Sequence, residues 1–570
     1  MAFKGSISPM PDTSNEEGSG SGSTPNPSTE QAGTNSPERA SDLLLVVSFY
    51  AEPVRTKIIE LSGSAMDELT KLAVSEGMFW QPKQNYETLD AVQYIRHFGN
   101  VDGTLNEIIK MVEIGEPEYL PFFNSCPIET ELNLKQATPA EAYEVEASRD
   151  SAYVRMNPIE IAEWLMDVEK WSNVFYKIVS RAMNLGILLD GVEGSLDGRL
   201  QVMSGEFHVP SALVRTRECY FARYSKKLSD TTWAIVDVSL EKFFPHPSIN
   251  IRRRPSGCFI QFMPHQGFSK ITWVEHVEAD NRNLNSTFKD IIKSGFAFGA
   301  TRWVSAIVRQ YEYSQTLKAK YSPPEDAVKR IGEAGRMGMV KVGDRMMRKL
   351  CSEMSGAMRN QWFRLPPSSS DIEDVRVAIR EHEAKPGKTS STTLIFSTSQ
   401  WFPIAPRRLF DFLRSADNRP MWDLLSRGFC VQELSYVAKG KDSANRVSLL
   451  QVTDDMDHYV INYIQESHTD ISGSYVVYAP MDKSAVTELL EGGDPEKVGI
   501  LPSGFAILPD EIPMDDGPHS GVASILTVSF HIFDYNSIKS AVPSQSLHVI
   551  KKVLRRTFEA VKAFVFSARI

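Results

Sequence analysis

The sequence predicts an α+β protein: two related units, each a curved antiparallel sheet closed by a long C-terminal helix, behind a disordered N-terminal tail. Three observations carry that expectation. In the first half the apolar period shifts from three or four residues to two, marking helix and then strand. An amphipathic helical pattern follows the last strand-like run of each half. Landmarks of the first half recur in the same order about 250 residues later.

A chain of 570 residues is too long for one ordinary core, so several domains are expected. The net charge of -10 argues against nonspecific nucleic-acid binding, which needs a surplus of Lys and Arg. Cys126, Cys219, Cys258, Cys351 and Cys430 lie far apart with no CxxC pair, which predicts free thiols in a reducing compartment, packed as small buried residues. The N-terminus lacks the apolar segment of a secretory signal, and no run of about 18 apolar residues could span a bilayer. A nuclear or cytosolic protein is expected.

Residues 6–41 are Ser, Gly, Pro, Thr, Asn and Glu with almost nothing apolar, a composition that cannot repay the entropy of folding, so the tail over 1–41 should be disordered. A short apolar run, 43–47, follows. Ile58, Leu61, Ala65, Leu69 and Leu72 then recur at helical spacing and predict a helix ending before Gly77. Further helix is expected over about 85–116, and an irregular connection over 117–139. Asn157-Pro158 joins a capping side chain to a proline suited to the first turn, predicting a helix through Ile161, Trp164, Leu165 and Val168. After turn residues at 191–198, strand-like runs cover 200–209, 216–226, 232–240, 257–263 and 270–277. Phe296, Ala300, Trp303, Ile307 and Tyr311 predict the helix that closes this unit over the bent sheet.

In the second half, a helix over 406–412 is followed by Trp422, as the helix after Pro158 is followed by Trp171. Pro502-Ser503-Gly504 repeats Pro255-Ser256-Gly257 ahead of a strand. A last strand over 524–533 and a helix with Leu547, Ile550, Leu554, Phe558, Val561 and Val565 on one face complete the parallel. This is a degenerate internal duplication, with units at 52–316 and 393–570 and a connecting region over 317–392.

Catalysis has no visible home. There is no HExxH, Walker lysine loop, GxSxG or GxGxxG in its required setting. Gly332, Gly335 and Gly338 have the wrong spacing for a phosphate cradle and read as a flexible connection. None of the 11 histidines lies three or four residues from another histidine or a cysteine, so neither metal nor other cofactor is expected, and no enzyme. The clusters Arg252–Arg254 and Lys551, Lys552, Arg555, Arg556 read as solvated charge, with contact to an acidic head group or partner as the sharper alternative. Alternation in 216–224 puts Arg217, Cys219, Phe221 and Arg223 on one face. Facing water, these arginines are ordinary; facing an interior, they must be paired, because an isolated buried charge is very costly. Alternation alone favours water.

The runs at 200–210, 216–224, Trp233–Ser239, Arg252–Cys258, Trp273–His276 and Phe298–Trp303 together resemble the START domain of plant class IV homeodomain leucine-zipper proteins. Trp401–Pro403, Leu409–Leu413, Trp422-Asp423, Val447–Leu450, Tyr478–Pro480, Gly492–Asp494 and Leu501–Asp510 are similar to their START-adjacent domain. The resemblance covers about 52–570. Family members carry a homeodomain with a Trp-Phe-x-Asn-Arg recognition helix and then a zipper. Neither pattern occurs in this sequence, so the expectation is the regulatory half, acting in transcription without a homeodomain of its own.

The resemblance implies two tandem helix-grip domains. START domains enclose a lipid or sterol in a tunnel between sheet and C-terminal helix, and their Arg-Asp-Phe-x-x-x-Arg strand places its second arginine inside. The stretch from Arg217-Glu218-Cys219 to Arg223 is similar in spacing and departs at the Phe position. Carried over, Arg223 points into the first unit's cavity, Glu206 pairs with it, and Met203, Phe221, Val236, Ile260, Trp273 and Phe296 form the wall. Expected partners are a lipid or sterol and other proteins, homeodomain-containing family members among them, with no specific DNA binding by this chain. The implied location is the nucleus, with the cytoplasm as the alternative. The rival reading is a dimerisation or scaffold module with a filled cavity that titrates full-length family members.

Overall fold

A computed structural model describes residues 42, 46, 48–83, 86–98, 143–244, 250–320, 327–365, 374–382, 391–454, 459–510, 523–534 and 544–567. The expected tail over 1–41 and connection over 117–139 lie outside these described residues, as does Cys126. The first unit runs α1 (Glu52–Val74), β1 (Trp80–Pro82), β2 (Glu87–Leu89), α2 (Ala91–Phe98), β3 (Tyr143–Val154), α3 (Pro158–Met166), α4 (Val168–Val174), β4 (Val179–Leu189), β5 (Leu200–Phe207), β6 (Arg217–Ser229), β7 (Thr232–Ser239), β8 (Ile251–Arg253), β9 (Ser256–Met263), β10 (Phe268–Asp280), α5 (Lys289–Lys293) and α6 (Ala300–Lys318). The second runs α7 (Glu333–Met354), β11 (Phe363–Arg364), β12 (Arg376–His382), β13 (Ser391–Phe402), α8 (Pro406–Arg414), α9 (Arg419–Trp422), β14 (Cys430–Ala438), β15 (Arg446–Thr453), β16 (Val460–Asp470), β17 (Gly473–Met481), α10 (Lys483–Leu490), β18 (Ser503–Asp510), β19 (Ala523–Asp534) and α11 (Ser544–Ser567).

The first sheet is ordered β1-β2-β3-β10-β9-β7-β6-β5-β4, with β8 also on β10, and the second β11-β12-β13-β19-β18-β17-β16-β15-β14. All these pairings are antiparallel and the two orders correspond position for position. The duplication is therefore a property of the fold. Its repeated Pro-Ser-Gly has a steric cause: a Cβ on Gly257 would sit 2.0 Å from the Ile235 carbonyl oxygen of β7, and one on Gly504 2.4 Å from that of Val476 on β17, the corresponding strand. The serine before each glycine accepts from a histidine amide on the next strand, Ser256 from His276 at 2.9 Å and Ser503 from His531 at 3.1 Å.

Each sheet is covered on both faces. In the first unit α1 lays Ile58, Ala65, Leu69 and Leu72 against Val202, Ala222, Val236 and Val238, while Trp303 and Ile307 of α6 pack on the other face with Met203, Phe221 and Trp273. In the second, α11 sets Ile550, Leu554, Phe558, Val561 and Val565 against its own sheet, as the duplication requires. Coverage of both faces explains why β7 reads as a nearly continuous apolar run from Trp233 to Val236. Asn157 caps α3 by accepting from the Ile159 amide at 2.9 Å.

The connecting region corrects the sequence reading. Within 317–392, β11 and β12 extend the second sheet, and Met339, Val340, Met346 and Leu350 of α7 cover its outer face as α1 covers that of the first. Of the three glycines read as flexible, Gly332 has open space around it, but Gly335 and Gly338 lie in this helix and permit close approach: a Cβ on Gly335 would stand 2.5 Å from the Leu490 carbonyl oxygen, and one on Gly338 2.8 Å from Leu489 Cδ1. Cys219, Cys258 and Cys351 are buried, whereas Cys430 is exposed, against expectation.

Candidate ligand site between the first sheet and its closing helix

The inward face of β6 carries Cys219 and Phe221, which pack with Met203, Ile260, Trp273 and Phe296; Tyr220 and Ala222 turn to α1. Arg223 shares the inward face and is 1% exposed. Its partner is Asp237 on β7, its direct cross-strand neighbour. Nε donates to Asp237 Oδ1 at 2.7 Å, Nη2 to Oδ2 at 2.8 Å, and Nη1 to the Leu165 carbonyl at 2.5 Å. The guanidinium lies 4.1 Å from the centre of the Trp171 ring, a cation–π contact.

Glu206 does not meet Arg223. It stands opposite Glu218 in the β5–β6 register, on the other face from Met203 and Phe207, and its carboxylate accepts from Thr216 Oγ1 at 2.7 Å. Val236 is the second correction: it packs under α1, and the inward residues of β7 are Trp233, Ile235 and Asp237. Met203, Phe221, Ile260, Trp273 and Phe296 do line one core.

The residue that sequence reasoning missed is Arg253. Read as part of a solvated cluster, it is 1% exposed and donates to Glu275 Oε2 at 3.0 Å, with Asp237 Oδ2 at 3.7 Å. Arg252 and Arg254 turn outward to Glu278, at 3.5 and 2.7 Å. Alternation through the triplet was the available signal. Burial pushes the Glu275 carboxyl up, against the pull of Arg253. The Trp273 indole also donates to Glu275, at 3.0 Å. Arg223, Arg253, Asp237 and Glu275 thus form a buried network of two cations and two carboxylates.

Aromatic rings fill the space between this network and α6. Trp273 and Trp303 stack at 4.6 Å, Trp171 lies parallel to Trp303 at 6.2 Å, and Phe175 stands 5.0 Å from Trp303. Among the described residues, three buried donors in this cluster meet no acceptor: Trp171 Nε1, Trp303 Nε1 and Arg253 Nε. Each such group costs about 1–3 kcal/mol, so an acceptor brought among them gains that much before its own desolvation. Burial pushes the Cys219 and Cys258 thiols up, which leaves them unreactive. Among the described residues no three His, Cys, Asp or Glu cluster as a metal site needs, and no helix is long and apolar enough to cross a membrane.

Comparison with known proteins agrees with this architecture. Residues 127–312 match the START domain, and residues 332–566 match the domain described as PDF2-like, C-terminal. Homeobox-leucine zipper protein HDG3 of Arabidopsis thaliana is 36% identical over 81% of this chain and 64% of its own length. ROC4 of Oryza sativa subsp. japonica is 35% identical over 80% of this chain and 60% of its own, and ANTHOCYANINLESS 2 of Arabidopsis thaliana 33% over 89% and 60%. Among solved structures, human StAR-related lipid transfer protein 5 aligns with 12% identity and a TM-score of 0.27 over 45% of this chain and 99% of that one. The chain is thus a START-domain protein with a PDF2-like C-terminal domain. It is a homologue of the plant class IV homeobox-leucine zipper proteins in these two regions, and spans just under two thirds of the length of the relatives it matches.

Proposed function

We propose that the chain acts in transcription regulation as a ligand-responsive module, its first unit taking up an apolar molecule that carries an oxygen acceptor. The observation that supports this best is the set of unpartnered donors, Trp171 Nε1, Trp303 Nε1 and Arg253 Nε, buried in one aromatic cluster. Arg223, each of whose three guanidinium nitrogens already donates, acts behind them by holding Asp237 in place. Because the rings occupy the space beneath α6, uptake displaces side chains, and the new hydrogen bonds offset part of that cost. Output then runs through protein partners in the nucleus, homeodomain-bearing relatives among them.

The filled interior favours a second reading, a scaffold that takes no ligand and titrates longer relatives. Native mass spectrometry of detergent-free protein, incubated with a plant lipid extract and washed, separates the two. The ligand reading expects a bound neutral lipid, reduced in Trp303→Phe. Protein of bare mass from every incubation, with partner binding intact, would establish the scaffold.

A further inference from the structure

We infer that the second unit holds a ligand site of its own, for an apolar molecule with a neutral oxygen, of the chemistry of a long-chain alcohol. The duplication places Trp422 where the first unit has Trp171, and among the described residues neither buried indole N–H group has an acceptor. Beside Trp422 stands Arg419, 1% exposed. Its Nε donates to Asp423 Oδ2 at 2.9 Å and its Nη1 to Gln465 Oε1 at 3.1 Å, while Nη2 meets no acceptor. The guanidinium lies 4.1 Å from the Tyr463 ring centre and 4.3 Å from that of Tyr478. Among the described residues, the Trp422 Nε1 and Arg419 Nη2 donors and the neighbouring Tyr463 hydroxyl therefore lie without a well-formed hydrogen bond in a core that Leu450, Val452, Phe505 and Phe558 help to build.

The charge balance selects the ligand. Asp423 already neutralises Arg419, so a carboxylate or phosphate brought inside is a buried anion without a counter-charge, whereas a hydroxyl or carbonyl oxygen takes both donors and adds no charge. An apolar rim adjoins the site: Met421 and Leu425, on either side of Trp422 and Asp423, are 53% and 55% exposed. This site is independent of any ligand in the first unit.

The test uses the whole chain and a dodecanol bearing a diazirine on its alkyl tail, with the labelled peptides mapped by mass spectrometry. Label is expected on second-unit peptides around Arg419–Leu425 and Tyr463. Dodecanol should compete at least about tenfold better than dodecanoate. Trp422→Phe keeps the ring, removes the N–H and should weaken labelling by about two- to tenfold, the worth of one neutral hydrogen bond. Label confined to the first unit overturns the inference while leaving the proposed function standing, and label confined to the second does the reverse. Absence of label, equal competition by dodecanoate, or unchanged labelling of a folded Trp422→Phe also overturns it. If that variant fails to fold, the wild-type map and the competition decide.

Discussion

Arg223→Leu removes a guanidinium that is 1% exposed and makes three hydrogen bonds, two of them to Asp237. Breaking a buried ion pair from one side costs roughly 3–5 kcal/mol, because the remaining charge stays buried. Here Asp237 keeps a second cation, Arg253, at 3.7 Å, which places the expected loss near the lower end, at about 3 kcal/mol. For a unit of 150–250 residues that is a fall in Tm of roughly 6–12 °C. Arg252→Leu is the control: half-exposed and 3.5 Å from Glu278, it should change stability by less than about 1 kcal/mol. The assay is calorimetry of both variants alongside Asp237→Asn and the Arg223→Leu/Asp237→Asn double variant. The double variant should lose well under the sum of the single losses. Equal melting of Arg223→Leu and Arg252→Leu, or strict additivity in the cycle, would refute the reasoning.

Gly257→Ala and Gly504→Ala should each cost more than about 1 kcal/mol, since a Cβ would meet a carbonyl oxygen of the adjacent strand; denaturant unfolding that shows either as neutral contradicts the shared close approach. Lys177 is held down to about 7 by burial, with its Nζ 4.0 Å from the Tyr475 ring centre and no hydrogen-bond acceptor. With the folded value below the unfolded one, the unfolded state binds the extra proton between about pH 7 and 10, so stability should rise across that window by up to roughly 1.4 kcal/mol per unit. Lys177→Met should flatten the rise, and an unchanged pH slope in this variant would show that Lys177 is charged in the folded state. A chain of net charge -10 whose sequence has no recognition-helix motif should show no sequence-selective DNA binding at physiological salt, as fluorescence anisotropy against random duplexes can check.

The repeat was legible because it rests on constraints that few residues satisfy. Pro-Ser-Gly marks a place where a strand must approach its neighbour closely, and Trp171 and Trp422 follow the proline-led helices α3 and α8. Face assignment failed where periodicity carries no information. In Trp233–Ser239 every position through Val238 except Asp237 is apolar, because α1 covers one side of the strand and α6 the other, so Val236 could not be told from Ile235. The partner of Arg223 depended on register: β6 pairs with both β5 and β7, and a carboxylate lay on each, but only Asp237 stands opposite it. Arg253 was hidden by composition, since three consecutive arginines read as surface although the middle of a strand sends neighbours to opposite faces. β3, with charged residues on both faces, and β4, interrupted by register shifts, gave no clean alternation. The 317–392 region was misread because its glycines signal close packing as readily as flexibility.

The central claim is that acceptor-bearing ligands enter among the unpartnered donors of the first unit. It is tested most directly by following the indole N–H resonances of 15N-tryptophan-labelled protein as a neutral lipid is added. The Trp171 and Trp303 signals should move downfield as they acquire an acceptor. The Trp80 signal, already bonded to the Leu72 carbonyl at 2.8 Å, and the Trp401 signal, bonded to Asp510 at 2.8 Å, should stay in place. Lipid binding that leaves Trp171 and Trp303 unmoved would contradict the account.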